Sequence, residues 1–234
     1  MRSIFRFKQF SVDQSNCTMK INTDGVLLAA MHAKPAQWIL DVGTGTGVIA
    51  MMLAQKYPQA KVVGLEIDQA SAQQAAQNFA KSSFSERLTA VHSDIKNYNP
   101  DQAFDIVISN PPFFLNALQN PLPSKSLARH TNEAFFDNLL AFSAQYLSSQ
   151  GSLHCILPTD TADRLADASK DFGLHLQKEV SISSFRDSPV IRKIVQLGKE
   201  AVQRIERDDF YIYEEQKVYS KAYKKLLQPY FLNY

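Results

Sequence analysis

Between residues 38 and 57 an apolar run, Trp38-Ile39-Leu40-Asp41-Val42, gives way to glycines on alternate positions, Gly43, Gly45 and Gly47. A stretch of helical composition follows, 48–57, and stops before Pro58. A buried strand, a tight turn and a helix in immediate succession form the opening half of a crossover unit, and such units build parallel sheets. The pattern repeats. Residues 62–67 read as a second buried strand followed by an alanine- and glutamine-rich helix at 70–81. Residues 88–92 and 104–109 read as further strands. Asn132 reads as the cap of a helix through 147 with Gly151 at its exit, 152–157 as a strand, and 159–172 as a helix closed by Gly173. The expected fold is α/β, a doubly wound Rossmann-like sheet, mostly parallel, with helices on both faces and an antiparallel strand at the C-terminal edge. Two long strands within 174–197 would complete the sheet. Residues 4–12 read as a strand or hairpin, 24–32 as a short helix and 219–227 as a final helix. One domain is expected over 1–234, made of a basic and aromatic N-terminal segment (1–35), a catalytic core (36–200) and a C-terminal strand and helix (201–234). In such sheets ligands bind beyond the carboxyl ends of the strands, so chemistry is expected just after positions 42, 67, 92 and 109.

Composition removes other classes. With 45% hydrophobic and 21% charged residues among 234, wholesale disorder is excluded. Two distant cysteines, Cys17 and Cys155, exclude a disulfide scaffold or a multi-cysteine zinc module and read as small buried hydrophobes of a reducing cytoplasm. Five histidines without ligand spacing point to no metal. No Ser nucleophile elbow appears, and the N-terminus lacks a secretory core. The longest uncharged stretch, 138–159, is interrupted by serines, glutamines, a His and a Gly, so no membrane span is expected. A soluble, cytoplasmic monomer is the expectation.

A net charge of +2 conceals a division. Residues 1–35 carry five Lys/Arg against two acids, 36–185 ten against fourteen, and 186–225 ten against seven. Ends brought together by the fold would form a positive surface suited to a polyanion; scattered solubilising charge is the plainer alternative.

The spacing of the glycines bears on the ligand. A dinucleotide fingerprint G-x-G-x-x-G begun at Gly43 would need glycine at Val48; begun at Gly45 it ends at the tolerated Ala50, which keeps a dehydrogenase open. Asp41-x-Gly43-x-Gly45-x-Gly47 resembles instead the first motif of S-adenosylmethionine-dependent methyltransferases. Glu66, at the end of the second strand, can accept both hydroxyls of an unphosphorylated ribose. Asp68 reads as a helix cap, and Asp94 either as a loop cap or as the partner of the adenine amino group.

After the strand at 104–109 stands Asn110-Pro111-Pro112-Phe113. Two prolines fix the backbone and remove two N–H donors, which leaves the Asn110 side-chain oxygen and the Pro111 carbonyl as acceptors for one –NH₂ group. Phe113 offers a face for a flat substrate. Together with the glycine motif this tetrapeptide resembles the amino-group methyltransferases, which act on adenine N6, guanine N2, cytosine N4 or glutamine.

The segments 7–10 and 19–28, the tail from Tyr219 to Tyr223 and the aromatic ending resemble the bacterial tRNA1(Val) adenine-N6 methyltransferase family over nearly the whole chain. The resemblance implies transfer of a methyl group from S-adenosylmethionine, leaving S-adenosylhomocysteine, to N6 of adenine 37 beside the anticodon. It implies a cofactor site of Asp41, Gly43, Gly45, Gly47, Glu66, Ile67, Asp94, Ile95 and Asn110, with Thr23 and Asp24 at the methionine end; Asp24 reads equally well as a helix cap. The implied partner is the anticodon stem-loop of tRNA. Lys20, Arg129, His130, Arg192 and Lys193 are candidate contacts to it, each also readable as solvated charge, and Lys224-Lys225 stand beside them. The alternatives are an rRNA guanine-N2 or, less well supported, a protein glutamine-N5 methyltransferase. An NAD-dependent oxidoreductase leaves residues 110–113 idle, and a silent RNA-binding module needs none of the motifs.

Overall fold

A computed structural model describes residues 4–17, 19–31, 35–111 and 125–233; within 125–132 the description is of the backbone only. Among the described residues the main sheet has eight strands: β3 (Trp38–Val42), β4 (Lys61–Glu66), β5 (Leu88–His92), β6 (Phe104–Ser109), β7 (Leu147–Leu157), β8 (His175–Ser183), β9 (Val190–Gly198) and β10 (Glu206–Tyr211). A two-stranded antiparallel hairpin, β1 (Ile4–Arg6) and β2 (Ser11–Asp13), precedes them, and β11 (Tyr213–Glu215) pairs with β12 (Val218–Tyr219) near the end. The helices are α1 (Thr23–Met31), α2 (Val48–Lys56), α3 (Gln69–Ala80), α4 (Lys125–Tyr146), α5 (Thr159–Ala168) and α6 (Lys221–Leu227).

The order across the sheet is β10-β8-β9-β7-β6-β3-β4-β5. Side-chain alternation explains why it is covered twice. Ile39, Val62, Ile106 and Ile108 face a core with α1, α2 and α3, while Leu40, Val63 and Val107 face another with α4 and α5. Strands buried on both faces read as unbroken apolar runs, which is why 38–42 and 104–109 stood out in the sequence.

The sheet departs from the expected order in one respect. Its antiparallel strand is β9, held between β7 and β8, and the edge is β10, parallel to β8. The β8–β9 hairpin folds back onto β7, and the chain then returns to extend the sheet outside β8. The edge strand begins Glu206-Arg207-Asp208-Asp209, all exposed, and charge on an open edge discourages pairing with other chains.

Three helix limits also differ. Helix α4 begins at Lys125, so Asn132 lies within it and does not mark its start. The expected helix at 159–172 is α5 followed by a 3-10 turn, Ser169–Phe172, closed by Gly173 at φ 69°. The tail helix starts at Lys221, after Ser220, whose hydroxyl accepts the Tyr223 amide at 3.1 Å.

The chain ends meet. The Lys8 amide donates to the Tyr230 carbonyl at 2.7 Å, the Lys8 ammonium to the Gln228 carbonyl at 2.5 Å, and Phe7 stacks on Phe231 with centroids 5.4 Å apart.

Candidate active site

Strands β3 and β6 are parallel neighbours with Val42 opposite Ser109, so the loops after them emerge side by side. The buried Ser109 hydroxyl donates to the Val42 carbonyl at 2.9 Å and ties the two loops at their root. The glycine motif and Asn110-Pro111 therefore open on one end of the sheet, the carboxyl end where doubly wound folds bind ligands.

In the glycine loop, Gly43, Gly45 and Gly47 have φ of 73°, 53° and 83°, values that L side chains rarely adopt. A Cβ on Gly43 would meet nothing within 4 Å, and one on Gly45 only the Gly43 carbonyl at 4.0 Å; both face open space. Gly47 has a different reason to be glycine: a Cβ there would come within 2.4 Å of the Phe79 ring of α3. Behind the loop, Asp41 is fully buried and its Oδ2 accepts the Thr44 hydroxyl at 2.6 Å, while Oδ1 finds no well-formed hydrogen bond. Burial pushes the Asp41 carboxyl up to about 7, against the downward pull of the Thr44 hydroxyl and the Ala50 amide.

Glu66 ends β4 at the lip of this loop. Its Oε2 accepts the Gly45 amide at 2.9 Å and its Oε1 the Asp68 amide at 3.0 Å, so backbone donors fix the carboxylate while each oxygen keeps a lone pair. Ile67 beside it is 64% exposed, an apolar face on the rim. Asp68 caps α3 by accepting the Ser71 amide at 2.8 Å. Asp94 caps a short 3-10 turn by accepting the Lys96 amide at 3.0 Å, and Ile95 behind it is buried. An open glycine loop, a fixed carboxylate and an exposed apolar side chain in sequence suit the phosphate-free nucleoside end of S-adenosylmethionine.

Cys17 also approaches this rim. It is half-buried and not in the core, and that burial, with the Glu66 charge next in effect, raises its thiol to about 11. Cys155 is fully buried in β7.

At the reacting end, the Asn110 side-chain NH₂ donates to Asn22 Oδ1 at 3.3 Å. That same oxygen accepts the Gly25 amide at 2.9 Å, so Asn22, not Asp24, caps α1. Asn22 was not among the residues singled out from sequence. The run Asn22-Thr23-Asp24 offers three cap-type residues in a row, and only the packing chooses between them. A Cβ on Gly25 would stand 3.3 Å from Asn110 Nδ2, which shows how closely α1 presses on this side chain.

Asp24 instead pairs with Arg192, Nε to Oδ2 at 2.8 Å, and Lys193 pairs with Asp163 at 2.6 Å and Glu179 at 3.3 Å. Both basic residues, expected to meet phosphate, have acidic partners inside the protein. Lys20 is exposed and Thr23 lies exposed at the start of α1. Pro111 is buried after β6; Pro112 and Phe113 lie outside the described residues, as do the side chains of Arg129 and His130. Among the described residues no group of three or more His, Cys, Asp or Glu could hold a metal ion, and no helix is long and apolar enough to cross a membrane.

Comparison with known proteins agrees with this geometry. A predicted O-methyltransferase from Agrobacterium tumefaciens superposes with a TM-score of 0.68 at 21% identity, covering 88% of this chain and 96% of that one. A putative RNA methyltransferase from Pyrococcus horikoshii superposes at 0.53 with 16% identity over 74% and 79% of the two chains. At these identities the likeness is one of fold. In sequence the chain is 46% identical to a tRNA1(Val) (adenine(37)-N6)-methyltransferase of Pedobacter heparinus, over 99% of both proteins. A protein of the same name from Bacteroides thetaiotaomicron is 36% identical, over 98% of this chain and 97% of its own. Residues 19–163 match the methyltransferase small domain, and the chain belongs to that family and, within it, to the tRNA1(Val) (adenine(37)-N6)-methyltransferases.

Proposed function

We propose that this chain transfers a methyl group from S-adenosylmethionine to the exocyclic N6 of adenine 37, next to the anticodon of tRNA1(Val), in the cytoplasm. The observation that carries the reading is the meeting of the two loops, with Val42 and Ser109 opposite each other and Asn110 held at the tip.

The cofactor supplies an electrophilic methyl on sulfonium; everything else is positioning. The open loop at Gly43 and Gly45 leaves room for its methionine end, Glu66 would receive the ribose hydroxyls, and Ile67 and Asp94 would meet the adenine. Asn22 takes the NH₂ end of the Asn110 amide, which leaves Oδ1 as an acceptor. With the Pro111 carbonyl it would accept both hydrogens of the substrate amine, turning the nitrogen lone pair toward the methyl. The nitrogen lone pair would take the methyl as the S–CH₃ bond breaks, its electron pair staying on the thioether sulfur of S-adenosylhomocysteine, and the methylated nitrogen, acidic once bonded, would lose its proton to water. No strong general base is needed, because alignment itself lowers the barrier by several kcal/mol, up to ~7–11 in well-oriented systems.

Incubation with labelled cofactor and unmodified total RNA, followed by nucleoside mass spectrometry, is expected to show N6-methyladenosine confined to one tRNA. N2-methylguanosine in rRNA would replace the proposal with the guanine reaction. Asn110→Ala is expected to lower kcat on the order of a hundredfold or more while cofactor affinity and melting temperature hold. A variant that turns over normally would remove Asn110 from the reaction.

A further inference from the structure

A cavity of about 620 Å³ lies where the two chain ends meet, between β1, the start of α1, α6 and the C-terminal residues. Its volume is within the ~300–1,000 Å³ usual for small-ligand sites. Phe5, Tyr219, Tyr223 and Phe231 line it together with Leu232, and Arg6 and Asn22 are polar members of the same wall. Phe5 is 36% exposed and Leu232 57%, large apolar side chains left facing solvent in one place. The aromatic wall is braced: Tyr219 stacks on Tyr223 at 4.6 Å and 9°, and on Tyr213 at 5.1 Å and 19°, while Phe5 meets the Phe231 ring edge-on at 5.8 Å. Asn22 belongs both to this cavity and to the reacting centre, because its Oδ1 accepts the Asn110 amide.

Resting on the function proposed above, we infer that this cavity is a stacking subsite for the unpaired base adjoining the one that is methylated. Three properties fit that occupant. Tyr219 is stacked on two neighbours and Tyr223 is buried, so they brace the wall, and the ring left open to a flat heterocycle of any identity is Phe5, stacking being the mode by which proteins hold splayed loop bases. The exposed Arg6 lines the same cavity and supplies a cation for a flanking phosphate, and the Asn22 NH₂, which donates one hydrogen to the Met19 sulfur at 3.4 Å, keeps the other for a base edge. Asn22, a lining residue, is hydrogen-bonded to Asn110 at 3.3 Å, so a base in the cavity and an adenine at Asn110 would stand one side chain apart, as adjacent nucleotides do. The subsite would also assist the reaction: withdrawing the neighbour from the loop stack frees adenine 37 to turn outward.

The test compares unmodified tRNA1(Val) with two versions that carry an abasic ribose, one on the 5′ and one on the 3′ side of adenine 37. The wild-type enzyme, Phe5→Ala, Phe5→Trp and Leu232→Ser are each assayed for N6-methyladenosine, with melting temperature and cofactor affinity as controls of folding. Phe5→Ala is expected to raise KM for intact tRNA about tenfold. Phe5→Trp should restore it, and Leu232→Ser should raise it several-fold. One of the two abasic tRNAs should raise the wild-type KM to a similar extent, and Phe5→Ala should then cost nothing further on that RNA. An unchanged KM for both Phe5→Ala and Leu232→Ser, or a cost that persists undiminished on both abasic tRNAs, overturns the subsite. Failure of the wild-type enzyme to form N6-methyladenosine on intact tRNA is a different result and overturns the function on which the subsite rests.

Discussion

At the residue scale Asp41 links stability to the cofactor loop. Its buried carboxylate anchors Thr44, and burial raises its pKa from 3.8 to about 7. Between those two values the folded chain retains a proton that the unfolded chain has released, so raising the pH through this window lowers stability. Asp41→Asn keeps the shape and an acceptor for the Thr44 hydroxyl but has nothing to ionise. The stability of the variant relative to wild type, from denaturant melts, is therefore expected to improve by on the order of a few kcal/mol between pH 4 and pH 8. Parallel pH profiles for the two proteins would show that Asp41 is not strained by its charge. The acidic position and its three glycines could be read from the sequence because they lie within seven residues. The perturbation could not, since it follows from complete burial.

At the scale of elements the decisive contact is α1 on the loop after β6. Glycine in a helix costs about 1 kcal/mol relative to alanine, yet Gly25 sits in α1 with Asn110 Nδ2 only 3.3 Å from where a Cβ would be. Gly25→Ala should therefore hold or raise the melting temperature while the displaced Asn110 amide lowers kcat several-fold to about tenfold. Loss of stability together with activity would mean that the helix, not the amide, yields. Sequence periodicity located α1, α2, α3 and the strands β3 to β6 well, because an apolar strand run and a helix with one apolar stripe each carry their own signal; β7 begins at Leu147, five residues before the strand expected at 152–157. Periodicity misplaced the start of α4, where Asn132 imitates a cap, and it set the antiparallel strand at the edge, because strand order is decided by which surfaces pack and leaves no local mark. The partner of Asp24 was beyond reach for the same reason: Arg192 lies 168 residues away.

For the whole molecule the question is which charges are available to RNA. The fold joins the two basic ends through Lys8, Gln228 and Tyr230, yet Arg192 and Lys193 are already neutralised by Asp24, Asp163 and Glu179. Lys221 and Lys224, by contrast, stand exposed on α6, the helix whose Tyr223 lines the aromatic cavity, with Arg6 and Lys20 exposed on the N-terminal side. A cation that neutralises a phosphate releases a counterion, and each such contact steepens the fall of log affinity with log salt by ~0.7–0.9. Titrations of tRNA binding between low and high salt are thus expected to give slopes about one unit shallower for Lys221→Ala and for Lys224→Ala. Lys193→Ala should leave the slope near that of wild type and act on melting temperature instead, since its loss leaves the largely buried Glu179 with only the longer pair to Arg207, at 3.9 Å. Equal slopes for all three variants and wild type would place the RNA on another face, and a shallower slope for Lys193→Ala alone would mean that binding breaks the internal pairs to recruit their cations.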